Sequence, residues 1–239
     1  MRRVIDLIKQ NEKEIEKGKL FQWLSDESVD PYQRLSFTPS MLYYLMGFKD
    51  VLAHLAVKNP SNVHEKHINA YCVEDAEHWR WYLDDLTKLG YTVYSWGDSI
   101  PKFCNEVWSP ATVINRKTIF TLIYYSKLST DPLLKLVLIQ IFESTGVVFI
   151  GHTRKAAIAM GADDDLFYFG KVHYEEEFGH TVQSNDLVDI RMGEETYNLA
   201  VEAVENLFGA FDEMFNCWYE HRDKYPVLGK VSVGQKASV

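Results

Sequence analysis

Histidines and carboxylates recur at short spacing in three stretches of this sequence, and such spacing can bring metal ligands together. The stretch KVHYEEEFGH holds His173 and His180 with three glutamates between them. In a helix each residue advances about 100°, so His173, Glu177 and His180 share one face within roughly a 60° arc. Glu175 and Glu176 point away from that arc and can be solvated. We interpret the shared face as a candidate metal-binding surface.

A second stretch, NAYCVEDAEHWRW, places two carboxylates close to a histidine. Glu74 precedes His78 by four residues and Asp75 precedes it by three. On a continuous helix, Glu74 lies about 40° and Asp75 about 60° from His78 around the axis. We therefore favour Glu74 as the ligand and keep Asp75 as its substitute.

The third stretch is the apolar run LVLIQIFESTGVVFI, which contains Glu143. A helix that is apolar on every side is a buried one. A buried carboxylate is costly unless it is protonated, paired with a cation or bound to a metal. The nearest charged neighbours, Lys135 and Arg154, are eight and eleven residues away, too far to pair within the helix. Glu143 must therefore be satisfied by groups from elsewhere in the fold.

Together these clusters predict one metal centre supplied by three helices. Mixed nitrogen and oxygen ligation without thiolate suits non-haem iron or manganese better than structural zinc. Six ligands also suit two metals better than one. A buried salt-bridge network and scattered surface charge remain the alternatives. The predicted ligands are Glu74 (or Asp75), His78, Glu143, His173, Glu177 and His180.

The elements that must position these residues are helices. Apolar residues recur at helical spacing in seven segments, and no comparable stretch shows the alternation of a strand. We predict an all-α, single-domain bundle of about seven to eight helices over residues 1–225, followed by a C-terminal tail over residues 226–239. The seven segments are residues 3–24, 41–57, 62–89, 112–128, 133–160, 165–185 and 195–221.

Composition excludes several classes of protein. The chain has 239 residues, 46% hydrophobic and 14% aromatic, which predicts a folded domain rather than a disordered chain. Its net charge is −9 and no basic block offsets it, so we expect neither nucleic acid nor a membrane surface as a partner. The three cysteines have no metal-binding or disulfide spacing, which favours a reducing, cytoplasmic location.

Two other kinds of helical metal protein fit the sequence less well. A ferritin-like bundle would use DAEH and EFGH as carboxylate-x-x-His pairs, but it also needs a lone glutamate before the first pair. Residues 28–64 contain no glutamate, and His173 would be left without a role. A haem protein needs a buried axial histidine in an apolar pocket, and Glu143 and Glu177 disfavour it.

The stretch HYEEEFGH resembles the His-x-x-x-Asp/Glu-x-x-His helix of the haem-oxygenase-like di-iron oxidases and oxygenases, the family that includes the chlamydial death-domain-associated protein. The order of clusters is also similar: a helix with His78, a helix with the lone Glu143, then the HYEEEFGH helix. The resemblance extends over roughly residues 40–185. Many members place their first glutamate seven residues before the histidine, where this chain has Tyr71.

This resemblance implies an enzyme with a haem-oxygenase-like fold. It would bind two iron ions (Fe2+/Fe3+), use dioxygen as co-substrate and take electrons from an external donor. The chain is also similar to a nitrile-forming member, which implies a (brominated) tryptophan substrate converted to an indole-3-carbonitrile. Oxidation of a fatty acid or another amine, oxidation of the protein's own tyrosine, and a metal-free enzyme on the same fold remain open. A small-molecule substrate is the expected partner, and a homodimer is left open.

Several residues near the predicted ligands are candidate walls of a substrate pocket, although most such aromatics are ordinary core residues. We place the remaining histidines outside the site. The arginines that could pair with a substrate carboxylate are Arg80, Arg116 and Arg154. The aromatic candidates are Tyr71, Trp79, Trp81, Phe142, Phe149, Phe169 and Phe178.

Overall fold

A computed structural model describes residues 1–92, 95–128, 131–181 and 187–225, with the side chains of 178–181 excepted. The regular structure in these residues is helical throughout, which confirms the all-α, single-domain bundle. The predicted tail, residues 226–239, lies outside them. The α-helices are α1 (Arg2–Ile15), α2 (Lys19–Leu24), α3 (Pro31–Arg34), α4 (Leu42–Leu55), α5 (Val63–Asp75), α6 (His78–Lys88), α7 (Ile100–Val107), α8 (Val113–Leu128), α9 (Pro132–Ala159), α10 (Lys171–Thr181) and α11 (Glu194–Glu220).

Helix α9 is the centre of the bundle. The carboxylate of Asp131 accepts a hydrogen bond from the Leu133 N–H at 2.9 Å, and Pro132 needs no N–H at the first helical position. The helix packs against α1, α2, α3, α5, α10 and α11. Its length and apolar composition would allow it to cross a membrane, but 83% of its most apolar window is buried inside the bundle. This burial is consistent with the core helix of a soluble protein, and a cytoplasmic location stays a prediction.

A second layer of α4, α8 and α11 closes the bundle over α9. Helices α4 and α8 share the most extensive contact of the described helices. Asn115 of α8 ties the layer together, because its Nδ2 donates to the Ser40 carbonyl at 2.6 Å and its Oδ1 accepts from Trp218 Nε1 at 2.9 Å. Trp218 also packs edge-to-face against Phe149 of α9. The aromatic core thus joins α9 to α11.

The prediction of one helix over residues 62–89 was wrong, because the chain leaves the helix between α5 and α6. Glu77 adopts φ −111° and ψ 0° at the start of α6. Its carboxylate pairs with Lys49 of α4 at 3.0 Å and with Arg80 one turn on. Asp75 and His78 both turn into the core at this break.

Short helices also differ from the predicted segments. The N-terminal segment divides at Gly18 into α1 and α2, and α10 begins at Lys171 rather than at residue 165. Helix α7 begins at Ile100, within the stretch WGDSIP (96–101) that the sequence predicts as a turn. Helices of four to eight residues span only one or two turns, so hydrophobic periodicity has too few positions to reveal them.

Candidate metal centre

Two histidines and a glutamate converge where α6 and α10 meet. The ligand atoms of His78, His173 and Glu177 all lie within 4.8 Å of one another, and all three side chains are buried. His78 is the first residue of α6, whereas His173 and Glu177 lie one turn apart on α10. His173 Nε2 is 3.1 Å from Glu177 Oε1. The structure therefore brings three of the predicted ligands together.

Contacts at both ring nitrogens fix the orientation of His173. Its Nδ1 donates to the Tyr168 carbonyl at 2.9 Å, since a carbonyl can only accept, and its Nε2 points to Glu177. Burial lowers the pKa of His173, but the bonds to Glu177 and to the Tyr168 carbonyl and the charge of Asp75 outweigh it, so the pKa is raised overall. The imidazole thus sits in an acidic environment that favours a positive charge.

Asp75, rather than Glu74, lies beside His78. Asp75 Oδ1 is 3.8 Å from His78 Nδ1, and the carboxylate is buried. Asp75 also forms a hydrogen bond with Tyr71, whose pKa is raised well above its usual value by burial and by the charges of Asp75, Glu177 and Glu143. Glu74 is exposed. The preference for Glu74 assumed a continuous helix, and the break before His78 removes that assumption.

The remaining predicted ligands lie differently. Glu143 is buried on α9 and accepts a hydrogen bond from Gln140 Nε2 at 2.7 Å. It is within electrostatic reach of Tyr71 but is not in the group of three convergent ligands. The side chain of His180 lies outside the described residues. Glu176, expected to point to solvent, comes within 3.4 Å of His78 Nε2, because the first residue of α6 reaches α10.

A cavity of about 70 Å³ opens beside these ligands, several times the roughly 10–15 Å³ that one water molecule requires. Among the aromatic candidates, Tyr71, Phe142 and Phe149 line it. Phe169 is buried elsewhere in the core, and the Phe178 side chain lies outside the described residues. The rest of the wall comes from the residue before α4, from α4, the Tyr168 loop, α9 and α11: Met41, Tyr44, Leu45, Phe48, Thr145, Gly146, Ile150, Tyr168, Phe211, Phe215 and Trp218.

The cavity contains acidic and aromatic groups but no lysine or arginine among the described residues that line it. Arg154 instead makes a bidentate pair with Asp163, at 2.8 and 2.9 Å. Arg116 donates to the Val107 carbonyl at the end of α7, and Arg80 is exposed beside Glu77. The arginines considered as partners of a substrate carboxylate therefore serve other contacts.

A buried carboxylate that sequence reasoning missed fixes the loop before α10. Asp85 of α6 accepts hydrogen bonds from three consecutive backbone N–H groups, those of Phe167, Tyr168 and Phe169, at 2.9, 2.8 and 3.0 Å. Burial raises the pKa of Asp85 to about 6, although the three N–H donors and the charge of Lys88 lower it. The carboxylate is therefore ionised at neutral pH. Its position on the buried face of the amphipathic helix α6 was the available signal.

Gly146 lets the carboxylate of Glu177 lie against α9. A Cβ at Gly146 would stand 3.1 Å from Glu177 Oε2 and 3.4 Å from its Cδ. We expect Gly146→Ala to weaken metal binding about tenfold by displacing Glu177, while the helix itself gains up to about 1 kcal/mol from the alanine. Gly209→Ala on α11 is the matched control, because nothing lies within 4 Å of its Cβ. Metal titration and thermal unfolding of both variants test this, and equal metal affinity in the two would contradict it.

Comparison with family models and with curated proteins finds no match to this chain. The fold and site together define an all-α helical bundle with a candidate His/Glu metal centre at the contact between α6 and α10. The resemblance to the haem-oxygenase-like di-iron family rests on the order and spacing of the residues and stays a prediction.

Proposed function

We propose that the protein is a non-haem iron enzyme that uses dioxygen to oxidise a small amine or amino acid. The observation that carries the proposal is the buried convergence of His78, His173 and Glu177. Two histidines and one carboxylate are the donor set typical of non-haem Fe(II) oxygenases. Histidines that bind a metal usually donate their other ring N–H to an outer partner that fixes the ring. In His173 this partner is the Tyr168 carbonyl.

The proposal extends to two irons because two further carboxylates, Asp75 and Glu143, act together with Glu177 on the buried Tyr71. Buried carboxylates are costly unless they are paired or bound to metal. Divalent ions would neutralise this charge, with His180 as a further predicted ligand. Bound iron would supply the electrons and the open positions that activate dioxygen.

The residues of the chain bind and orient the substrate. The aromatic wall excludes water and would hold an apolar body, such as an indole ring, against the metal ligands. Such a wall supports an amine or amino acid that carries an aromatic ring as the substrate class. Within this class, a (brominated) tryptophan converted to an indole-3-carbonitrile, with electrons from an external donor, is our specific proposal.

One alternative has an observation of its own. Tyr44, Tyr71 and Tyr168 line the cavity next to the candidate ligands, so an oxidised tyrosine could be the product instead of a released small molecule. Burial raises the pKa of each of the three, and neighbouring charges raise it further, so the hydroxyls stay protonated at neutral pH. Intact-mass spectrometry before and after reaction with dioxygen separates self-modification from turnover.

The decisive experiment is anaerobic loading with Fe(II), metal counting, and then exposure to air with plain tryptophan, halogenated tryptophans, another amine and a fatty acid. We expect about two irons per chain and faster oxygen uptake with the tryptophans than with the fatty acid. One iron per chain would replace the di-iron proposal with a mononuclear one. The proposed function would be overturned if the protein binds no iron. It would also be overturned if oxygen uptake with each compound is the same as uptake without any compound.

A further inference from the structure

We propose that Asp85 is a positioning residue for the metal centre and sets the orientation of His173 through the backbone of the preceding loop. The inference rests on the proposed function insofar as His173 is a metal ligand. Asp85 itself touches neither the cavity nor the three convergent ligands. Its effect on the centre must therefore be transmitted by the atoms between them.

The connection is a short chain of hydrogen bonds. Asp85 Oδ2 accepts the N–H groups of Tyr168 and Phe169, and Oδ1 accepts that of Phe167. The carbonyl of Tyr168, in the same loop, accepts the Nδ1–H of His173 at 2.9 Å. A carboxylate that holds three successive amides fixes the orientation of the peptide groups between them. The position of the Tyr168 carbonyl, and with it the direction of His173 Nε2, thus depends on Asp85.

Neighbouring groups support this anchor from the same helix. Lys88 lies one turn after Asp85, with its Nζ 3.7 Å from Asp85 Oδ1. The same ammonium donates to the Asp165 carbonyl at 2.5 Å and lies 4.6 Å from the centre of the Phe167 ring. Helix α6 therefore carries His78 at its first turn and, two turns later, the groups that fix the loop leading to His173. The positions of both histidines, His78 and His173, therefore depend on the same helix.

The test compares Asp85→Asn with the wild-type chain. Asparagine has nearly the same shape but presents an NH2 group where one carboxylate oxygen accepted a backbone N–H, so part of the anchor is lost. We expect two results. In the metal-free protein, 15N-resolved NMR should show loss of the slowly exchanging Nδ1–H of His173. Affinity for Co(II), used as an air-stable probe, should fall about tenfold, the lower end of the range found for groups that bond a metal ligand directly, because Asp85 acts one step further out.

Asp30→Ala is the control, because Asp30 also accepts two backbone N–H groups but caps α3, which carries none of the candidate ligands. It should lose stability without changing the His173 signal or Co(II) affinity. If Asp85→Asn does not fold, Lys88→Met takes its place, with a smaller loss in the same direction. Retention of both the His173 Nδ1–H signal and Co(II) affinity in the folded variant would overturn the proposal. A wild-type chain that binds neither Co(II) nor Fe(II) would refute the proposed function instead, while the NMR comparison would still decide the role of Asp85.

Discussion

Replacing His173 by alanine is expected to reduce Fe(II) affinity by more than about 100-fold. His173 is in contact with both other members of the convergent trio: its ring centre is 4.5 Å from that of His78, and its Nε2 is 3.1 Å from Glu177. Loss of the ring removes one ligand and leaves the Glu177 carboxylate without the neighbour that orients it. Outer partners alone change metal affinity about 10- to 100-fold, so the loss of a ligand should exceed that range. Anaerobic titration with Fe(II) and metal counting measure it.

His152→Ala provides the matched control for this experiment. His152 is also a buried histidine, but it lies on the α1 and α2 side of α9, where it bonds to Ser25 at 2.8 Å and to Glu16 at 3.1 Å. The His152→Ala substitution should lower the free energy of unfolding without changing the iron content of the protein. Equal iron content in the His173 and His152 variants would contradict the candidate centre, whatever their stabilities.

Helical periodicity and a long apolar run predict most of the long elements, because these helices bury either one continuous face, as α11 does, or nearly every side, as α9 does. The segment 133–160 corresponds to α9 and the segment 195–221 to α11 within one or two residues. His173 and Glu177 could be paired from sequence for the same reason, since both lie on one helix and their spacing fixes a common face. Local geometry is sufficient wherever the interacting residues share an element.

Features that depend on two elements could not be derived in this way. The aromatic wall contributed by α11, including Phe211, Phe215 and Trp218, lies more than thirty residues from the predicted ligands and reaches the cavity only because α11 packs on α9. The approach of Glu176 to His78 likewise depends on where the first residue of α6 meets α10. Neither contact leaves a signal in the local spacing of residues.

The choice between Glu74 and Asp75 shows how one break in a helix changes an inferred site. A continuous helix would place Glu74 nearer than Asp75 to the face of His78, by a margin of about 20°. The chain leaves the helix at Glu77 and starts α6 anew, so that Asp75 becomes buried 3.8 Å from His78 while Glu74 stays exposed. A difference of about 20° between two side chains is smaller than the change in direction that a break in the helix causes, so it cannot identify the ligand.

We therefore expect Asp75→Asn to lower metal affinity about tenfold or more and Glu74→Gln to leave it unchanged within about twofold. The two substitutions are isosteric and one residue apart, so they differ mainly in the burial of the carboxylate that they neutralise. Metal titration with parallel denaturant unfolding tests both statements. A larger loss of affinity in the Glu74 variant would show that α5 is rotated so that Glu74 faces the centre.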